Sequence, residues 1–181
     1  DMKIFGFFNA KKLSSTGFRN FFSNGVIAFV LIGLFFLTYS STVLNAFSSG
    51  SLNAIYSGNT SSTNITLMFN VYWGNEYLDS ILATLKENDI KTTFFIGGTW
   101  AEKFPELLTK IYDDGHEIAN HGYYHKDHSK ISYERNSEEI LNTHNLVKQQ
   151  LGVEMTLFAP PSGAFSKTTL EIADSLGYKT I

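Results

Sequence analysis

The sequence predicts an α/β fold in which a parallel sheet is joined by helical crossovers. Two observations support this class. Short apolar runs rich in β-branched and aromatic residues alternate four times with segments of helical periodicity, and a fifth apolar run ends the sequence. Capping and turn residues separate most of these segments. The repeated order favours parallel strands, but periodicity alone leaves open a doubly wound sheet or a closed barrel.

Five apolar runs define the predicted strands. The first reads ITLMFN, the second TTFFIG and the fourth MTLFA, and all three have the composition of β-strands. The full set comprises residues 65–70, 92–97, 116–120, 155–159 and 178–181. Ligands gather at the carboxyl ends of parallel strands, so the segments that follow these runs form the expected functional edge.

Four helices are predicted between the strands. Apolar residues at helical spacing mark the first, over residues 76–89. Pro105 fits the first turn of the second helix. Asn136, with Glu139 three residues later, has the pattern of a capping box that starts the third helix. Ser166 is the expected cap of the fourth.

The first 47 residues carry a different signal. A basic segment, residues 1–20, precedes an uncharged segment, residues 21–47, whose apolar core reads GVIAFVLIGLFFLTY. This order is typical of an uncleaved membrane anchor or a cleaved secretory signal, and a buried core helix is a third interpretation. We expect a single-pass anchor with its basic side in the cytoplasm, so that the rest of the chain lies outside the cytoplasm at the cell membrane.

The rest of the chain divides into a linker and a folded domain. Residues 48–64 are rich in Ser, Gly, Asn and Thr and predict a flexible linker before a domain over residues 65–181. The absence of cysteine excludes disulfides and thiolate metal sites. The net charge of −3, with its acidic excess after residue 75, argues against nucleic-acid binding. The sequence starts with Asp1 before Met2 and stops within an apolar pattern, so we expect a fragment.

The stretch NHGYYHKDH, residues 120–128, concentrates three histidines at a predicted strand end. His121 and His125 are four residues apart, and on a helical turn this spacing lets two imidazoles share one cation. His128 and Asp127 are candidate further ligands. The alternative for His128 is a solvated loop residue, and Asp127 is expected to cap the loop. Two other histidines are expected to be structural, His116 in a strand and His144 packed on the apolar side of a helix.

Residues 65–181 resemble the amino-terminal two thirds of a polysaccharide deacetylase domain, the NodB-homology family (carbohydrate esterase family 4). GHEIANHGYYH is similar to the family motif whose two histidines bind a divalent metal, usually zinc, and KTTFFIGGTWAEKFPELL and LFAPPSGAF match flanking segments. The resemblance implies a deformed (β/α) barrel, here ending after about five strands. It also implies removal of acetyl groups from a surface polysaccharide such as peptidoglycan, by hydrolysis of a carbon–nitrogen bond that is not a peptide bond.

The family mechanism implied by the resemblance is metal-assisted hydrolysis. A metal polarises the acetyl carbonyl, and an Asp after the first strand accepts a proton from the attacking water. The next Asp is the third metal ligand, an Arg before the proline pair orients the base, and a later histidine is the general acid.

This sequence departs from that pattern. Asn70 occupies the base position and Val71 the third-ligand position, in the run MFNVYWGNEY. Ala159 stands where the Arg is expected, and Ser162 replaces a Tyr whose backbone N–H stabilises the oxyanion. The departures are mutually consistent. The Arg of the family pattern orients a carboxylate, and with Asn70 in place of that carboxylate an Arg at position 159 would have no such partner. They suggest a sporulation-type subgroup of the family.

Two functions therefore remain open. The first is a membrane-tethered de-N-acetylase with zinc weakly held by His121 and His125. The second is a catalytically impaired relative that binds cell-wall glycan or partners outside the membrane. The expected glycan contacts are Trp73, whose ring suits a sugar face, with Pro161 and Ser162.

Overall fold

A computed structural model of the chain describes residues 23–35 and 52–181. Two units are distinguished, residues 1–50 and 51–181. In the first, residues 23–35 form helix α1, whose large apolar side chains are exposed. No helix within the described parts of the chain has the length and apolar content needed to cross a bilayer. The predicted anchor is thus not confirmed, and its residues 21–22 and 36–47 lie outside the described residues.

The second unit contains one five-stranded parallel sheet, which confirms the predicted class. The strands follow one another in sequence order across the sheet. They are β1 (Met68–Val71), β2 (Thr93–Ile96), β3 (Glu117–Asn120), β4 (Leu157–Phe158) and β5 (Lys179–Thr180). Among the described residues β1 and β5 are the sheet edges, so closure into a barrel stays a prediction.

Five helices connect these strands. They are α2 (Leu78–Glu87), α3 (Gly98–Lys103), α4 (Pro105–Asp113), α5 (Tyr133–Leu151) and α6 (Lys167–Ser175). Pro105 begins α4 and Ser166 caps α6 in a capping box, as predicted. The short helix α3 was not predicted.

The start of α5 was predicted wrongly. Ser132 is the N-cap, since its side chain accepts a hydrogen bond from the Arg135 backbone N–H at 3.2 Å. Asn136 lies inside the first turn and is fully buried. Serine and asparagine are both good N-cap residues, so the sequence pattern alone does not separate Ser132 from Asn136. In the structure the Asn136 side chain instead contacts His128 in the loop that precedes the helix.

The core has two parts, one on each face of the sheet. The larger packs the helices against alternate strand residues, including Phe94, Ile96 and Phe158. The smaller lies on the other face and consists of Phe95, Ala119 and Ala159. The register places Phe95 beside Ala119, so their side chains share one face. All four residues of β2 are buried for this reason.

Part of the predicted linker packs on the domain. Ala54 is buried, and the backbone N–H of Ile55 donates to the Thr180 carbonyl in β5 at 2.8 Å. The Thr180 carbonyl of the edge strand β5 is therefore paired with the backbone of residue 55.

Replacing Leu108 of α4 by alanine should strongly destabilise the chain. Leu108 is fully buried against the sheet, so truncation leaves a cavity that costs about 2–5 kcal/mol in free energy of unfolding. Leu141→Ala, at an exposed position of α5, is the control and should cost about 1 kcal/mol or less. Denaturant unfolding of the full chain measures both, and equal losses would contradict this packing.

Candidate functional site

The carboxyl ends of the strands bring the predicted site segments to one edge of the sheet. Asn70 and Val71 end β1, His121 follows β3, and Ala159 follows β4. Backbone hydrogen bonds continue past the strands, from the His121 N–H to the Ile96 carbonyl at 2.9 Å and from the Ala159 N–H to the Asn120 carbonyl at 3.0 Å. The positions of His121 and Ala159 are therefore set by the sheet rather than by a free loop.

His121 is buried and its ring is fixed by one hydrogen bond. Its side-chain Nδ1 lies 2.7 Å from the Ala159 carbonyl oxygen. A carbonyl can only accept, so Nδ1 carries the hydrogen and Nε2 keeps a lone pair. Burial lowers the pKa of His121 to about 4, which keeps the ring neutral near pH 7. A neutral imidazole with a free Nε2 is the form that binds a metal.

His125 completes the predicted imidazole pair. Its backbone has a φ of 53°, an uncommon conformation that turns the chain at this point. Its ring centroid lies 5.1 Å from that of His121, with 63° between the planes. Two imidazoles on one tetrahedral zinc would have centroids about 5 Å apart, given metal–nitrogen distances of about 2.0–2.1 Å. The pair therefore has a separation that suits two ligands of one cation.

Tyr72 is a site residue that the sequence analysis missed. Its ring stacks on the His125 ring, with centroids 3.7 Å apart and 17° between the planes, and also approaches His121 at 5.8 Å. Tyr72 directly follows β1, so the signal for it was its place at a strand end next to Val71.

Glu139 of α5 anchors the histidine loop, residues 121–128, through hydrogen bonds to its backbone. The buried Glu139 carboxylate accepts the backbone N–H groups of Tyr123 and Tyr124, at 2.8 and 2.6 Å. Its second oxygen pairs with Arg135 at 2.9 Å. The sequence pattern predicts for Glu139 only a part in a capping box, whereas its carboxylate orients the segment between the two histidines.

His128 does not extend the imidazole pair, and it is not solvated. It is fully buried, and its Nδ1 lies 2.7 Å from the Asn136 side-chain oxygen. The Asn136 amide nitrogen also donates to the His128 backbone carbonyl at 3.1 Å, so Asn136 fixes both the side chain and the backbone of His128. Asp127 caps the loop as expected, by accepting from the Ser129 backbone N–H at 3.0 Å.

The remaining histidines lie away from the pair. His116 is buried next to β3, as expected of a structural residue. His144 is not simply packed in the core, since its Nδ1 lies 2.5 Å from the Tyr178 hydroxyl and its Nε2 lies 2.8 Å from Glu154. The Tyr178 hydroxyl also accepts from the Asn120 amide at 3.1 Å, and burial raises the pKa of Tyr178 to about 12. This polar chain fixes the end of β3 just before His121.

Within the described residues, no acidic side chain joins the imidazole pair as a third ligand. Val71 packs its side chain against the helix-side core, and no group of three or more His, Asp, Glu or Cys residues in residues 23–35 and 52–181 could hold a metal ion. Asn70 is exposed at the end of β1. The donor chemistry thus fits two nitrogen ligands of a zinc-type site, with further positions left to water or a ligand.

A surface pocket of about 150 Å³ adjoins the β1 end of this edge. Its lining includes Asn70, Trp73 and Tyr77. The Trp73 side chain is 77% exposed, while its turn is held by a hydrogen bond from the Trp100 indole N–H to the Gly74 carbonyl at 2.8 Å. Trp100 itself is buried and packs in the core. On the β4 side, Pro161 is buried, and Ser162 is exposed with a φ of 57°.

The structure thus combines a parallel α/β sheet with an imidazole pair at the edge formed by the carboxyl ends of its strands. The sequence profile described as "Polysaccharide deacetylase" matches residues 57–181, and the chain belongs to this family.

Relatives include proteins with and without a described activity. The chain is 44% identical over 119 residues to the uncharacterized protein YlxY of Bacillus subtilis. This match covers 66% of the present chain and 37% of YlxY. It is 32% identical over 130 residues to the peptidoglycan-N-acetylmuramic acid deacetylase PdaA of the same organism, covering 71% of this chain and 49% of PdaA. The chain thus spans half or less of the length of these relatives.

A solved structure shares both the fold and the family. It is BA3943 from Bacillus anthracis, described as a CE4 family pseudoenzyme. Identity is 34%, the TM-score is 0.71, and the match covers 73% of this chain and 47% of that one. A mutant of BA3943 is described as having restored enzymatic activity.

Acidification should destabilise the chain between about pH 6.5 and pH 4. His121 has a folded-state pKa of about 4 against 6.5 for the ordinary side chain, so the unfolded state binds the proton first as the pH falls. The contribution of His121 to stability is complete above about pH 6.5 and falls by up to roughly 3 kcal/mol by pH 4. Urea unfolding at pH 7 and pH 4.5 measures this, and His121→Gln should show a smaller fall. An identical fall in the variant would contradict the assignment.

Removing the Glu139 carboxylate should loosen the histidine loop. Glu139→Ala leaves two partly buried backbone N–H groups without their acceptor, which costs up to about 1–3 kcal/mol each. Glu138→Ala is the matched control, because its exposed pair with Arg135 contributes about 0–1 kcal/mol. Chemical unfolding should separate the two variants clearly, and similar losses would argue against the role given to Glu139.

Proposed function

We propose that this domain binds acetylated cell-wall glycan of the peptidoglycan type and a divalent cation, with hydrolysis of acetyl groups strongly reduced. The observation that carries the proposal is the chemistry of the β1 end. Asn70 stands at the base position, and Val71, which is partly buried against the core, stands at the third-ligand position. An amide accepts no proton near neutral pH, and loss of a general base costs about 10²–10⁴ in rate.

The residues retained in the site support cation binding. His121 and His125 would hold the ion, zinc being the metal that suits two imidazole ligands. A bound divalent cation supplies polarisation of an acetyl carbonyl and a lower pKa for bound water. The Ala159 carbonyl keeps His121 in the ligating tautomer, although Ala159 cannot orient a base.

Glycan contacts are proposed along the same edge. Trp73 presents an exposed ring on a turn that the Trp100 hydrogen bond holds, which suits stacking against a sugar face. Ser162 and Pro161 follow β4 and flank the site from the other side. Asn70 adds an exposed amide at the pocket beside β1, and this amide can both donate to and accept from an acetamido group.

A second candidate is an active, metal-dependent de-N-acetylase with an altered metal shell. The imidazole pair at a chelating separation favours it, as does membership of a family that includes named peptidoglycan deacetylases. Asn70 and Val71 favour the first candidate, in keeping with similarity to a protein described as a pseudoenzyme.

The setting of the domain is also a proposal. Basic residues before the apolar segment 21–47 support a single-pass anchor with the domain facing outside the cytoplasm, next to cell-wall glycan. The sequential strand order supports closure of the sheet into a deformed (β/α) barrel in the whole protein.

Restoring the two carboxylates tests the proposed function. Asn70→Asp with Val71→Asp should raise acetate release from an acetylated chitooligosaccharide by about 10²-fold or more, because a base returns together with a ligand. Val71→Asp alone should tighten Co²⁺ binding by about tenfold or more, since even outer-shell partners of metal ligands contribute 10–100-fold.

The control adds His121→Ala to the double variant, which should remove both gains. If the unaltered chain already releases acetate as fast as the double variant, the impaired-enzyme proposal is wrong and the second candidate is supported.

A further inference from the structure

The imidazole pair contacts an aromatic ring that lies outside the histidine motif. Tyr72 stacks on His125 at a centroid distance of 3.7 Å, nearly parallel, and lies tilted toward His121 at 5.8 Å. One face of the His125 ring is thus covered by an aromatic surface. A metal binds imidazole in the ring plane, so a face-on contact leaves the ring nitrogens accessible while it limits rotation of the ring.

The backbone of Tyr72 is held in place by β2. The Gly97 N–H donates to the Val71 carbonyl at 2.8 Å, directly before Tyr72. A Cβ added at Gly97 would lie 2.9 Å from the Tyr72 Cβ and 3.2 Å from its Cα. Only glycine allows this approach, so the close contact between the two strand ends sets where the Tyr72 ring can reach.

His125 needs such support more than His121 does. His121 has a hydrogen bond to a strand-end carbonyl and is 1% exposed. His125 is only partly buried and sits on a residue with positive φ. Val71, at the third-ligand position, has no atom that could bind a cation, so it does not help to fix the two rings around a shared ion.

We propose that Tyr72 is a positioning residue that holds the His125 imidazole in the orientation for divalent-cation binding. The proposal deepens the cation-binding half of the proposed function and rests on it. The stacking surface, not the phenol oxygen, does the positioning. Tyr72→Phe therefore keeps the effect, and Tyr72→Ala loses it.

Two measurements on the full chain test the role. In the metal-free protein, the ring current of Tyr72 should shift the His125 ring protons upfield in the NMR spectrum, and Tyr72→Ala should abolish the shift while Tyr72→Phe retains it. In a Co²⁺ titration followed by visible absorption, Tyr72→Ala should weaken binding by about 2- to 12-fold, the range expected for loss of one aromatic stack. Tyr72→Phe should bind as the unaltered chain does.

Tyr112→Ala, at an exposed tyrosine of α4, is the matched control and should change neither readout. Unchanged or tighter Co²⁺ binding in Tyr72→Ala would overturn the positioning role, the latter by showing that the ring obstructs the pair. Weakened binding in Tyr72→Phe would overturn it too, because the hydroxyl would then be a ligand. If the unaltered chain binds no Co²⁺, the cation-binding half of the proposed function fails, and the positioning role fails with it.

Discussion

The hydrogen bond from the His121 ring to the Ala159 carbonyl is the interaction on which the site depends. It joins the ends of β3 and β4, so the sheet itself decides where the first imidazole lies. It also decides which nitrogen carries the proton, and hence that Nε2 is free. The rest of the edge is arranged around this fixed ring, with Glu139 shaping the loop that leads from it to His125.

The site keeps its frame although its reactive groups differ from the family pattern. The frame consists of buried polar contacts, such as Asn136 with His128 and Asn120 with Tyr178, that would be costly to break. The changed positions are Asn70, Val71 and Ala159, which sit on strand ends and are accommodated without buried unpaired charge.

Sequence patterns predicted the parallel sheet, most helices and the position of the histidine pair, because these follow from periodicity and from chain order. They failed where a residue had two possible partners. Asn136 has the chemistry of a helix cap, yet it is buried and holds the His128 loop, which places the cap at Ser132. Glu139 and Tyr72 act across elements far apart in sequence, and such contacts leave no periodic signal.

The central claim is that two imidazoles, and no protein carboxylate, bind a divalent cation at this edge. X-ray absorption spectroscopy of the zinc-loaded chain at pH 7.5 tests it most directly, because the method counts imidazole ligands and measures metal–ligand distances. The account predicts two histidine nitrogens at about 2.0–2.1 Å, with the remaining shell made of water oxygens. A spectrum with no histidine contribution, or with three imidazole ligands, would contradict it.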